Sequence, residues 1–494
     1  MATSASLNAT SLPSSPELVK TLRLFDCTMI VMGSMIGSGI FIVAAEIARE
    51  VRFPGLLLLC WVVSGVMTVS GAITYGELAG MMPTAGGQYV YLREAFGPLF
   101  GFLYGWTLFL VIQTGTMAAV AVAFGKFLGV LVPWVSTQNL LINLGHIEVF
   151  HHSLAATLSS QQLVAVLALL FLSGLNIFGL RLGAWVQNVF TTIKVATLLG
   201  LVAFGLWWSE THPAAAVERQ SLWAGVHWNL ATVTALSVAL VGPLFSSDAW
   251  NNVTFTGSEI VNPRRNLPLA LFVGTAVICC LYTACNWIYL RILPFAGSPM
   301  ASGPLGRGIQ YAAEDRVATA AAQVMLGGQG ATLMAAAIMI STFGCMNGLT
   351  LAGARVYYAM AKDGLFFRSV GRVHPKHHTP AVSLAVQGVW AALLTLSGTY
   401  SELLDYVIFA VVLFYALTLA GVFRLRRTRP DAPRPYRAWG YPVLPAIYIA
   451  FALFVEWALL THKPGRSLAG LSIVAVGVPV YYLWRGRRRA GSDT

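Results

Sequence analysis

The chain has 494 residues, of which 57% are hydrophobic and only 10% charged, and its mean hydropathy is +0.70. That composition excludes a water-soluble globular protein and points to a polytopic membrane protein. The formal net charge is +12, but no single basic block resembles a nucleic-acid patch, so no nucleic-acid partner is expected.

Met1 to Pro16 is rich in Ser, Thr, Ala and Asn. It lacks a basic start followed by an apolar core, so it reads as a disordered tail rather than a cleaved signal. Twelve apolar spans follow: Leu24–Ala48, Gly55–Met81, Phe96–Gly125, Leu163–Phe178, Ala184–Trp208, Leu230–Glu259, Leu267–Leu290, Ala331–Ala361, Ala381–Ser397, Tyr406–Phe423, Tyr441–Leu460 and Ser467–Trp484. Most can cross a hydrocarbon layer of about 30 Å as helices. Cys27, Cys60, Cys279, Cys280, Cys285 and Cys345 fall in or at the ends of these spans. They read as small buried hydrophobes. With both termini placed inside the cell, the inner segments carry more than twice as many Lys and Arg as the outer ones. The positive-inside rule therefore predicts cytoplasmic termini and an inner or plasma membrane location.

The first span contains Gly33, Gly37 and Gly39. Glycine weakens a helix by roughly 1 kcal/mol relative to Ala, so Gly37-Ser38-Gly39 is the expected point of unwinding. Unpaired peptide groups cannot face lipid, so such a break must face protein or a cavity. Its free N–H groups suit a carboxylate. Close helix packing through small residues is the competing account. The sixth span repeats the anomaly. An interruption runs from Val241 to Asn252, where Gly242-Pro243 removes a helix donor and Ser246, Ser247, Asp248, Asn251 and Asn252 are costly to place in lipid. A helix is expected to resume from there to Glu259. Two broken helices, five spans apart, predict an inverted repeat with a site at mid-membrane between them. The expected units are a tail over 1–20, a five-helix repeat over 21–208, its inverted copy over 229–426, two further helices over 438–485 and a tail over 486–494.

Lys194 lies inside the fifth span. An ammonium there costs roughly 2.5–3.5 kcal/mol on insertion scales, which makes it a functional candidate; it is placed to donate to carbonyls of the broken first helix or to carry a proton. Snorkelling to the interface is the alternative. Asp248 is placed either to meet a cationic group or to cap a half-helix. Asn347 is an interhelical hydrogen-bond candidate, and Trp250 is either a lid or packing. Glu77 is expected near the headgroups and Glu456 within the eleventh span. The histidines His146, His151 and His152, and His374, His377 and His378, read as loop residues rather than metal ligands. No Walker motif, zinc spacing or nucleophile elbow occurs, so no cofactor, no metal and no enzymatic activity are expected.

Several stretches together resemble the amino acid–polyamine–organocation superfamily, and within it the L-type amino acid transporters. They are Gly33 to Phe41, Tyr75 to Ala79, Pro83 to Tyr89, Phe245 to Asn251 with Glu259, Asn262-Pro263, Asn266 to Pro268, Gly344 to Gly348 and Arg434 to Pro442. The resemblance runs from about Leu22 to Trp484. It implies a LeuT-like fold, an all-α protein of twelve transmembrane helices in a five-plus-five inverted repeat with two added, helices 1 and 6 being unwound. It also implies sodium-independent amino acid exchange by alternating access. The substrate carboxylate would meet Gly37, Ser38 and Gly39, and its amino group would meet carbonyls of Met35, Phe245 and Ser246. Trp250 and Asn251 would flank the pocket, Asp248, Ser246, Ser247 and Asn347 would tune selectivity, and Lys194 would stand where other members hold sodium. Two departures matter. The outer loop between helices three and four has no cysteine, so no disulfide-linked heavy chain is expected. Asp248 resembles carriers of cationic amino acids, whereas neutral carriers often have Gly. A proton-coupled symporter and a non-transporting amino acid sensor are the competing readings.

Overall fold

The computed structural model describes residues 18–149, 152–212, 221–397, 400–462 and 464–490. The expected tail Met1–Pro16 and His151 lie outside the described residues. Among those described, ten helices are long and apolar enough to cross a membrane, and two shorter apolar stretches, Leu230–Ser246 and Ala381–Leu396, accompany them.

The first span is α1 (Leu24–Met35), α2 (Gly39–Ile42) and α3 (Ala44–Val51). α1 opens with Asp26 accepting from the Arg23 N–H, which satisfies a donor that a helix start leaves free. α4 (Pro54–Met81) starts with Pro at its first position, where a missing N–H costs nothing. After α5 (Gln88–Phe96), α6 (Pro98–Thr107) runs through a five-residue π turn, Leu108–Ile112, into α7 (Gln113–Leu131).

The outer segment that follows is not helical. β1 (Leu140–Val149) and β2 (His152–Ser159) form an antiparallel hairpin, which corrects the all-α expectation. β-branched Ile142, Ile147 and Val149 favour the extended chain, and ladder pairing supplies backbone partners. Ser159 and Gln162 then make a reciprocal capping box that starts α8 (Ser160–Ile177), followed by α9 (Leu180–Thr211).

The sixth span comprises α10 (Leu230–Ala239) and α11 (Val241–Ser246), then 3-10 turns at Trp250–Phe255 and Gly257–Glu259. The helical ladder is lost at Ser247–Ala249, within the expected interruption from Val241 to Asn252, while Pro243 sits in the first turn of α11, where its missing N–H has no helical acceptor. One detail differs from expectation: the chain beyond is 3-10 rather than α-helical. The two broken spans run antiparallel. The N–H groups of Thr21 and Leu22 donate to Glu259 O at 2.8 and 3.0 Å, Gly39 lies against Ser246, and Gly242 lies against Val43 and Ile47.

α12 (Pro263–Ile292) is followed by the short α13 (Gly303–Arg307) and by α14 (Val317–Lys362). α14 begins earlier than expected as an outer arm that joins the span at Gly327, whose φ of 67° and ψ of −154° only glycine adopts readily. α15 (Ala381–Ser397), α16 (Tyr400–Thr428), α17 (Val443–His462) and α18 (Pro464–Ala490) complete the chain. α18 runs on into the stretch 486–494 that was expected to be tail. The broken spans form the buried centre, and the lipid-facing sides of α9 and α17 expose large apolar residues such as Trp185 and Leu453. Cys280 is also exposed, unlike the other five cysteines.

Candidate functional site

α1 stops at Met35 and α2 starts at Gly39, so the chain from Ile36 to Ser38 leaves the helical ladder. Buried carbonyls freed by such a break need donors, and three neighbouring helices supply them. From α9, Lys194 Nζ donates to Gly33 O at 2.6 Å and to Ile36 O at 3.0 Å. From α14, Ser341 Oγ lies 3.2 Å from both Ile36 O and Gly37 O, and Cys345 Sγ lies 3.1 Å from Ser34 O. From α12, Tyr282 Oη donates to Met35 O at 3.0 Å. Lys194 is 1% exposed, so it does not snorkel. Gly39 allows the closest approach of the two broken spans, since a Cβ there would lie 2.2 Å from Ser246 Oγ.

The second break is organised differently. Ala249 takes a left-handed φ of 63° and carries the chain out of α11. The Asp248 Oδ1 accepts from Tyr415 Oη at 2.6 Å, and Tyr415 lies 3.2 Å from Asn251 Oδ1. Asn251 donates to Gln88 Oε1 at 2.7 Å, and Gln88 donates to Thr418 Oγ1 at 3.0 Å. A side-chain network thus ties the break to α5 and α16.

Two narrow cavities meet here. One, of about 20 Å³, is lined by Met35, Gly37, Ser38, Gly39, Phe245, Ser246, Asp248 and Cys345, among others. The other, of about 10 Å³, is lined by Gln88, Tyr104, Gln113, Asp248, Asn251, Asn252 and Tyr415, among others. Thr116, Asp248 and Ala249 border both. The first offers backbone groups and the second offers polar side chains.

Four expected site residues, Trp250, Asn347, Ser247 and Lys194, line neither cavity. Trp250 packs between Tyr75 and Tyr415, with ring centroids 4.8 and 5.1 Å away, so it is a wall of the core rather than a lid. Asn347 is held among α8 and α9, donating to Gly183 O at 3.0 Å and accepting from Asn176 Nδ2 at 2.9 Å. Glu77, close to the end of α4, is 1% exposed and bonded to Arg426. Sequence reading missed Gln113, Tyr104, Tyr415, Tyr282 and Ser341. A signal existed only for Gln113, a lone amide in an apolar span; Gln88 was within a quoted motif but unassigned.

Ion pairs stand at both ends of the broken spans. Arg355 and Glu259 form a buried bidentate pair at 2.8 and 3.0 Å, while Arg49 and Asp315 form a half-exposed pair at 2.7 Å beyond α3. At the end of α5, partial burial opposes the charge of Glu94, but hydrogen bonds from Arg429 and Arg93 outweigh it and hold its carboxyl below the ordinary glutamate value. No group of three or more His, Cys, Asp or Glu able to hold a metal occurs among the described residues.

The same geometry can be set beside known proteins. The chain is 28% identical over 473 residues to the serine/threonine exchanger SteT of Bacillus subtilis (strain 168), covering 95% of this chain and 98% of that protein. It is 29% identical over 487 residues to the human (Homo sapiens) large neutral amino acids transporter small subunit 2, covering 96% of this chain and 83% of that one. It is 28% identical over 474 residues to the human Asc-type amino acid transporter 1, covering 95% and 84%. These relatives are transporters rather than enzymes, and they match the apolar helices of an integral membrane protein. The family model described as amino acid permease matches residues 22–480, which takes in both breaks and every helix that lines the cavities; the chain belongs to the amino acid permease family of the amino acid–polyamine–organocation superfamily.

Proposed function

We propose that this protein is a sodium-independent amino acid exchanger that works by alternating access. The observation that carries this reading is the meeting of two interrupted spans, Gly39 against Ser246, at cavities that share Asp248. Every amino acid has the same α-carboxylate and α-ammonium, so a site built from peptide groups reads the class. In this reading the N–H groups at Gly37, Ser38 and Gly39 receive the carboxylate, and carbonyls of Met35, Phe245 and Ser246 receive the ammonium. The helices hosting the breaks are the unwound helices 1 and 6 of the inverted repeat over 21–208 and 229–426, with 438–485 added. The antiparallel course of the two broken spans supports that division.

Lys194 supports sodium independence. Its ammonium sits on carbonyls of the first break, where a fixed cation does the work of a bound one. The relatives named as exchangers and transporters support exchange of amino acids, and the Lys and Arg bias supports cytoplasmic termini in the cell membrane. The segment 132–159 contains no cysteine, which supports action without a disulfide-linked heavy chain. Asp248 favours a second reading of selectivity: an amino acid with a cationic side chain would set its charge against this carboxylate, beside the amides of Gln88, Gln113 and Asn251.

Counterflow in proteoliposomes tests the proposal. Labelled arginine, leucine and alanine are offered outside vesicles loaded with each amino acid, in buffers without sodium. Uptake that requires an internal amino acid and ignores sodium is the expected result. Uptake driven uphill by a pH gradient into empty vesicles would replace exchange with proton symport, and binding without flux would make the protein a sensor.

A further inference from the structure

A groove of about 650 Å³ lies well away from the two breaks, on the protein surface between α4, α12 and the crossing that leads to α17. Its apolar walls include Ile73, Pro268, Leu269, Phe272, Tyr436 and Trp439. Leu269, Phe272 and Trp439 are exposed, Trp439 by 75%. The only charged residues on its lining are Arg264 and Arg265, in the first turn of α12. Both are exposed, and neither makes an ion pair or side-chain hydrogen bond among the described residues. The single acidic residue of α4, Glu77, is already bonded to Arg426, lies 3.3 Å from Arg434 and accepts the Ala438 N–H. Asp431, in the crossing, does not line the groove.

Geometry and charge together select an occupant. Helical rise puts Phe272 about 12 Å along the axis from Arg264, most of the ~15 Å half-thickness of a hydrocarbon core. Exposed Trp439 and half-buried Tyr436 suit the headgroup interface. An apolar trough one leaflet deep, ending in two cations without a protein anion, fits a ligand with a hydrocarbon tail and a negative head. We propose that this groove binds one anionic phospholipid, its phosphate on Arg264 and Arg265 and an acyl chain along Leu269, Phe272 and Ile73. The lipid ties α12 to the crossing that packs on α4. The proposal does not depend on what the central site carries; only the choice of the cytoplasmic leaflet rests on the orientation given above.

Native mass spectrometry of the full-length protein, offered equal amounts of phosphatidylglycerol and phosphatidylcholine, tests it. One retained phosphatidylglycerol is expected, preferred about thirty-fold, the effect of two arginines near an anionic headgroup. R264Q/R265Q is expected to abolish the preference, and Phe272→Ala to weaken retention of both lipids alike. In the wild-type protein, raising the ionic strength should shrink the preference, a measurement that needs no variant. Equal retention of the two lipids by the wild type overturns the proposal. So does a preference that survives the double substitution, or a dimer that forms through this face and is lost in Trp439→Ala.

Discussion

The two breaks meet at one place yet are built from different materials. At the first, side chains from α9, α12 and α14 converge on the carbonyls from Gly33 to Gly37. At the second, the visible bonds run between side chains, from Asp248 through Tyr415 and Asn251 to Gln88. The contrast separates two tasks. A braced backbone presents the same peptide groups to every amino acid, whereas a side-chain network can distinguish one amino acid from another. In the proposed exchanger the first break would hold the shape of the site and the second would set its selectivity.

The largest effect should come from the brace. Lys194→Ala leaves buried carbonyls of Gly33 and Ile36 short of a charged donor, and each unsatisfied group costs about 1–3 kcal/mol. Flux should be lost and the melting temperature should fall; wild-type rates in proteoliposomes would remove Lys194 from the mechanism. Next, Gly39→Ala forces a methyl group to 2.2 Å from Ser246 Oγ. Overpacking of this kind costs roughly 1–3 kcal/mol, so counterflow of every substrate should fall together.

At the second break the outcome should depend on the substrate. Asp248→Gly is expected to lower the ratio of arginine to leucine counterflow about tenfold, equivalent to ~1.4 kcal/mol, while leucine flux persists. An unchanged ratio would leave Asp248 only the task of holding Tyr415. Tyr415→Phe removes one buried hydroxyl donor, worth about 1 kcal/mol, and should shift the same ratio less. The smallest effect lies outside both breaks. Glu94 is held below its ordinary value, so the folded protein favours its charged form. That contribution is complete above the unfolded value of about 4.3 and fades as pH falls through the lower folded value. Glu94→Gln should therefore change stability near neutral pH by less than about 1 kcal/mol, and the difference from wild type should vanish in acid.

Much of this was legible from residue order because the bilayer enforces simple rules. Apolar length marks spans, and glycine or polar clusters inside a span mark places where helices fail; both breaks were read within a few residues. The helix expected to resume after the second break is 3-10 instead, because the packing around it, not its residue types, decides how tightly that stretch winds. The partners of Glu77, Arg426 and Arg434, could not be read because they are more than three hundred residues away in sequence. Trp250 and Asn347 carried the right chemistry but point into packed interfaces. Tyr282, Ser341 and Tyr415 gave no signal, since a hydroxyl residue in an apolar span is common and only its partner makes it special.

Residue order alone therefore determined the membrane character, the two interrupted spans and Lys194 as the buried cation, because each follows from local hydropathy and backbone propensity. Tertiary structure decided which groups face one another: that Lys194 reaches Gly33 and Ile36, that Tyr415 meets Asp248, and that Trp250 and Asn347 turn away. Those pairings join helices distant along the chain. Their energies depend on separation and burial in space, which no stretch of sequence contains.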